Sequence, residues 1–337
     1  MGTPASVRVP GATQVAWWRP RATRAEAGAA LLAAADHDAI VQALTARRAC
    51  PEPAAARVRD PGGSRSPWRG HGLDYAQSRA YQPGDDLRAM HWALLARTGR
   101  PYVREFDVEQ AAPWHALLDA HGGMLFGTRA RTKATQAARA VLLAAADWAA
   151  RWPQSPLTLS LWAAHGLRAR TFGRGGAAVA RLAQWLMRQR IAPPDLPASP
   201  AATSRPALAA WARRLARHGP APAQLVLCSD FGWFDEAAAG VLWPLARHGR
   251  LRALCVSDPV ERALPQLPQA PFVDASSGDA GWLDPGAWPR QAFARAAAQR
   301  SAQLSGALRA LHADVVQLGT EDAVDLLYAA IAQGASR

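Results

Sequence analysis

With 337 residues, half of them hydrophobic and 19% charged, the chain reads as globular and has enough apolar material for two compact domains. The net charge of +13 raises nucleic-acid binding, but Lys133 is the only lysine and the arginines are spread along an alanine- and proline-rich chain. No basic arm, recognition helix or aromatic-basic ladder is present, so direct nucleic-acid binding is a minor reading that a steep loss of binding with added salt would revive.

The three cysteines, Cys50, Cys228 and Cys255, show no metal-type spacing and imply buried, reduced thiols. Residues 1–20 do not read as a signal peptide, and no window approaches the roughly 20 uninterrupted apolar residues of a membrane-spanning helix. The expectation is a soluble, cytoplasmic protein without a membrane span.

Taken in chain order, residues 24–48 carry Leu31, Leu32, Ile40, Val41 and Leu44 at helical spacing and predict a helix or helix pair. Residues 50–72 are dense in Pro, Gly, Arg and Ser and predict a linker. A compact segment with Tyr81, Trp92, Tyr102 and Phe106 among turn residues follows. Beyond it, short apolar runs at 114–118, 157–162, 224–228, 251–256 and 315–318 alternate with helical patterns at 132–152, 177–190, 206–218, 236–248, 288–312 and 321–332. This alternation predicts an α/β fold, a mostly parallel sheet with helices on both faces. The domains expected are 1–72, a helical region and linker; 73–110, a separate segment; and 111–337, the α/β domain.

In such sheets ligands bind at the carboxyl ends of the strands. Asp119, Asp230 and Asp258 each fall at such an end. Gathered carboxylates suit a hard divalent cation such as Mg²⁺, whereas the plainer alternative is that these acids cap helices and bind loop amides.

Residues 78–109, SRAYQPGDDLRAMHWALLARTGRPYVREFDVE, carry a dense pattern: Arg79, Tyr81, Pro83, Gly84, Asp85, Asp86, Arg88, Trp92, Ala96, Arg97, Thr98, Val103, Glu105, Phe106 and Glu109. This pattern resembles the signature of the domain of unknown function 58 family. The stretch from Leu118 through Met124, Phe126, Gly127 and Lys133, and the segment SDPVERALP at 257–265, are similar to two further family segments. The resemblance runs from about residue 70 to the C-terminus. It implies a von Willebrand A-like (Rossmann-like) fold for 111–337 and names 73–110 as the family signature.

Pro83-Gly84 reads as a turn, and the charges of Asp85, Asp86, Arg88, Arg97, Arg104 and Glu105 suggest an ion-pair lattice around Trp92. One reading is that this lattice docks the segment on the α/β domain. The other is a partner-binding surface built on Tyr81, Asp85, Asp86, Arg88, Trp92, Arg97, Arg104 and Glu105, since aromatics and arginines are favoured at hot spots.

The resemblance further implies a metal-ion-dependent adhesion site, an Asp-x-Ser-x-Ser loop with a threonine and a later aspartate. Here Asp119 starts the loop, but His121 and Gly123 stand at the serine positions; Thr203 is the candidate threonine and Asp230 the later acid. Two hydroxyl ligands are missing, so the expectation is weak Mg²⁺ binding and no firm cofactor, with His121 as an alternative ligand to a softer metal. A second departure is His91, where the family pattern has an aspartate.

Enzymatic activity is not expected, because no nucleophile-elbow context, P-loop or dinucleotide fingerprint is present and no histidine is placed to serve Ser229. What the resemblance implies instead is a protein-binding adaptor or assembly factor. It would work with a MoxR-type AAA+ ATPase and an unidentified client protein in the maturation of other proteins. The alternative is a stand-alone, metal-dependent ligand-binding module of adhesion type.

Overall fold

A computed structural model describes residues 30–49, 74–82, 90–107, 113–163, 166–190, 200–217, 222–247, 249–266, 270–273, 280–283 and 287–334. Contacts divide the chain into two units, one holding 112–337 together with the residues up to Ala46, the other spanning Arg47–Ala111.

The larger unit is built on a six-stranded sheet. Its strands are β3 (Trp114–Ala120), β4 (Pro156–Ala163), β5 (Gly166–Arg174), β6 (Gln224–Ser229), β7 (Arg250–Ser257) and β10 (Asp314–Gly319), in the spatial order β10-β7-β6-β3-β4-β5. All neighbours pair in parallel except β4 and β5, which form an antiparallel edge. Strands β3, β6 and β7 are buried on both faces, which explains why they read as continuous apolar runs and not as alternating ones.

Alternate residues of each strand feed two separate cores. Ala116, Leu118, Val226, Leu254 and Val256 join Leu31, Leu32 and Ile40 before and on α1 (Ala34–Ala49), and residues of α3 (Lys133–Arg151), α4 (Gly175–Arg188) and α9 (Val324–Gly334). Leu117, Leu225, Leu227, Leu251, Ala253 and Cys255 face α5 (Pro200–Arg217), α6 (Glu236–Ala246) and α8 (Ala287–Ala310). Helices therefore cover both faces, as the alternating pattern predicts. Helix α3 sits deepest; its alanines allow close approach to the sheet, α4 and α9, and Thr132 caps its N-terminus by accepting from the Thr135 N–H.

Three features lie beyond what the sequence pattern states. Leu31, Leu32 and Ile40 are buried in the α/β core, and Leu31 N–H donates to Gln189 C=O, which joins the α1 region to 112–337. Strand β5 escapes sequence reading because exposed Arg168, Arg170 and Arg174 break up its apolar positions and leave only Phe172 buried. Such charges are what a sheet edge uses against unwanted pairing. The short hairpin of β8 (Ala270–Val273) and β9 (Ala280–Leu283) likewise has no matching sequence expectation. Cys228 and Cys255 are free and buried, and burial pushes the Cys255 thiol up to about 12; Cys50 lies outside the described residues.

In the smaller unit β1 (Asp74–Ala80) pairs antiparallel with β2 (Tyr102–Asp107), and α2 (Trp92–Thr98) lies between them in sequence. His91 supplies the N-cap of α2: its Nδ1 accepts from the Leu94 N–H at 3.1 Å. A neutral imidazole thus takes over the capping task that an aspartate performs with a carboxylate. Gly99, at φ 68°, closes the helix in the left-handed conformation. The variant His91→Asp, adding a helix-dipole interaction at the same cap, is expected to stabilise α2 by about 0.5–1 kcal/mol, read by amide hydrogen exchange across the helix.

Candidate functional site

Helices α3 and α6 leave β3 and β6 toward opposite faces, so the carboxyl ends of these two adjacent strands form the switch point of the sheet. Asp119 is buried here (1% exposed) and all its hydrogen bonds are internal. Its Oδ1 accepts from the His121 backbone N–H at 2.9 Å and lies 2.8 Å from His121 Nδ1; its Oδ2 accepts from Ser229 Oγ at 2.6 Å and Trp233 Nε1 at 3.0 Å. The His121 ring packs edge-on against Trp162, 4.5 Å between centroids.

Ser229 is locked into the same network. Its hydroxyl donates to Asp119 while Oγ accepts from Phe231 N–H at 2.9 Å and Trp233 Nε1 at 3.0 Å. These bonds help to hold Phe231 at φ 57°, a conformation a bulky residue rarely adopts. With 1% exposure, Ser229 has no access to a substrate carbonyl.

Asp230, next along the chain, accepts from the Gly232 N–H through Oδ1 at 3.0 Å and from Lys133 Nζ through Oδ2 at 2.7 Å. Lys133 is the first residue of α3, and it also donates to Glu261 Oε1 at 2.5 Å. Burial works against the lysine's charge, but the carboxylates of Asp230 and Glu261 outweigh it and hold the ammonium above its ordinary pKa.

Asp258, fully buried, caps the four-residue helix α7 (Pro259–Arg262), and Glu261 returns to the Asp258 N–H at 2.9 Å, completing a capping box. Asp258 also accepts from Thr128 N–H at 2.9 Å, from the Thr128 hydroxyl and from Thr320 Oγ1 at 2.8 Å. It therefore pins the loops after β3 and β10 to the end of β7. The plainer reading of this strand-end acid holds.

Of the residues expected at a metal site, the structure brings together Asp119 and His121, and joins Asp230 to Asp119 through the adjacent Ser229. Thr203 falls within α5, and its side chain lies outside the described residues. A hard divalent cation takes about six oxygen ligands. Here every Asp119 and Asp230 oxygen already accepts from an N–H or O–H, Gly123 offers no side-chain ligand, and an ammonium stands on Asp230. The described residues do not fit such an ion, and among them no group of three or more His, Cys, Asp or Glu is placed to hold a metal.

Of the surface residues expected to bind a partner, Asp85, Asp86 and Arg88 lie outside the described residues, as do the side chains of Arg104 and Glu105. Tyr81 is half-buried, Arg97 is exposed, and Trp92 is 61% exposed. The ion-pair lattice expected around Trp92 therefore lies outside the described residues. The residues missed from sequence are Lys133, Thr128, Trp233, Glu261 and Thr320. Two signals were legible: Asp258-Pro-x-Glu261 has the spacing of a capping box, and Lys133 is the only lysine.

The strand order, the antiparallel edge and the acid-bearing switch point define a von Willebrand A-like α/β domain. The chain belongs to the family described as "Protein of unknown function DUF58", whose model matches residues 77–303. The uncharacterized proteins Mb1516 of Mycobacterium bovis and Rv1480 of Mycobacterium tuberculosis are each 30% identical to it over 260 residues, covering 75% of this chain and 76% of theirs. Among solved structures, the conserved hypothetical protein BatB from Bacteroides thetaiotaomicron matches 67% of this chain and 100% of its own at 11% identity and a TM-score of 0.38. The von Willebrand factor type A protein from Catenulispora acidiphila matches 69% of this chain and 43% of its own, at 14% identity and a TM-score of 0.37. No described helix is long and apolar enough to cross a membrane.

Proposed function

We propose that this chain is a non-enzymatic, protein-binding adaptor or assembly factor that works with a MoxR-type AAA+ ATPase in the maturation of a client protein. The observation that carries the reading is Trp92. It stands 61% exposed on a helix with no buried residue, in the middle of the family signature, with Arg97 exposed on the same helix. Tryptophan and arginine are among the residue types enriched at interface hot spots, and this helix presents one of each to solvent.

The switch point adds a second argument. Its one hydroxyl candidate, Ser229, is buried and bonded to a carboxylate, with no histidine among its partners, so it lacks the access and base that hydrolysis requires. Hydrolysis of nucleotide is the ATPase's part in this scheme. The metal-dependent ligand-binding alternative draws no support from Asp119 and Asp230, whose oxygens are already bonded internally.

The test is capture of the tagged full-length protein from extract of its native cell, with and without ATP and Mg²⁺, followed by mass spectrometry. An AAA+ ATPase is expected with the wild type. Trp92→Ala is expected to weaken its recovery by about 10- to 30-fold, a hot-spot effect, with melting unchanged because the side chain packs against little. Recovery of no ATPase, or undiminished recovery by both Trp92→Ala and Arg97→Ala, would overturn the reading.

A further inference from the structure

We infer that the ammonium of Lys133 takes the place of the divalent cation at the switch point, so that this domain balances its carboxylates with a tethered charge and binds no metal there. The chain makes this residue conspicuous. It uses arginine for every other basic position, yet keeps a single lysine, 2% exposed, with Nζ 2.7 Å from Asp230 and 2.5 Å from Glu261.

Helix formation does not explain that choice. A cation in the first turn opposes the helix dipole, and Thr132 already caps α3. The replacement of a metal does explain it. Lysine presents a compact point charge with three donors, closer to a small ion than the planar fork of arginine.

A Cβ added at Gly123 would lie 3.1 Å from Asp230 Oδ2, the oxygen that Lys133 holds, so this loop position faces the carboxylate but offers it no hydroxyl. His121 bonds Asp119 where an oxygen ligand would otherwise stand. The second acceptor for Lys133 is Glu261, held in place by the capping box of α7. The missing loop hydroxyls, the internal cation and the carboxylate that receives it form one arrangement.

Because the lysine is unique, the full-length protein labelled with ¹⁵N-lysine gives one side-chain ammonium signal. That signal is expected to show a protected, protonated group that millimolar Mg²⁺ or Mn²⁺ leaves unmoved, and Asp230→Asn is expected to shift it. Calorimetry on EDTA-treated protein is expected to show no saturable uptake of either ion. The double variant His121→Ser, Gly123→Ser should also fail to bind Mn²⁺ while Lys133 is present. Adding Lys133→Gln to it should yield Mn²⁺ affinity at least about tenfold greater, with melting raised by the ion.

Saturable Mg²⁺ or Mn²⁺ binding by the wild type that Asp230→Asn abolishes would overturn the inference. So would equal Mn²⁺ binding by the double variant with and without Lys133, or no binding by a folded triple variant. If the triple variant does not fold, the wild-type ammonium signal and the double variant decide.

Discussion

Replacing Asp36 by alanine is expected to destabilise the α/β unit by about 3–5 kcal/mol, the cost of leaving a buried charge without its counter-ion. Asp36 lies in the first turn of α1, and its Oδ1 is 3.3 Å from Arg139 Nε and 3.8 Å from Arg131 Nε. Arg139 is 2% exposed in the middle of α3. Burial lowers its pKa to about 10, the neighbouring Arg131 adds to that, and Asp36 opposes it. Without Asp36, the guanidinium keeps only neutral acceptors, Gln136 Oε1 at 2.7 Å and the Asp322 carbonyl at 3.4 Å, with Arg131 beside it. The same change loosens α1, which then rests on the apolar contacts of Leu31, Leu32, Ile40, Ala39, Ala43 and Leu44 and on the Leu31 N–H bond to Gln189 C=O. Urea unfolding measures the loss. The double variant Asp36→Ala, Arg139→Met should recover most of it, since removing both charges removes the uncompensated one. Equal destabilisation by the single and double variants would show that the ion pair is not what ties α1 to the unit.

The second large effect is a pH dependence centred on His115. This residue is 8% exposed on β3, with Nε2 2.8 Å from Ser160 Oγ, which also accepts from Trp211 Nε1 at 2.9 Å. Burial lowers its pKa to about 4 from an ordinary 6.5. Between those values the unfolded chain binds a proton that the folded chain refuses, so stability rises with pH across the window and falls as pH drops from about 6.5 to about 4. The loss reaches roughly 3 kcal/mol at the acid end and does not grow below it on this group's account. Urea midpoints of the wild type and His115→Gln, compared between pH 7 and pH 4, isolate the contribution, because all other groups titrate alike in both. Parallel pH profiles would mean that folded His115 accepts its proton at the ordinary pH.

Much of the α/β unit was legible in sequence because buried parallel strands have to be apolar on both faces. The runs at 114–118, 224–228 and 251–256 coincide with β3, β6 and β7 for that reason. Strand β5 was not legible, since an edge strand interrupted by exposed arginines has no apolar signature. Helix α1 was legible as a helix, but its packing partner was not. Its periodicity states that it has an apolar face; it does not state which core receives that face.

Sequence by itself determined the alternation of strands and helices, the absence of any span-length apolar helix among the described residues, the acids at strand ends and the family signature. These are properties of local pattern and of matching, and neither needs contacts between distant residues. Tertiary structure alone decided what those acids do. Asp119 meets Ser229 across 110 positions, Lys133 meets Glu261 across 128, and Asp258 meets Thr128 across 130. A carboxylate's role follows from the donors around it, and those donors arrive only when β3, β6 and β7 lie side by side and bring their following loops to one rim of the sheet.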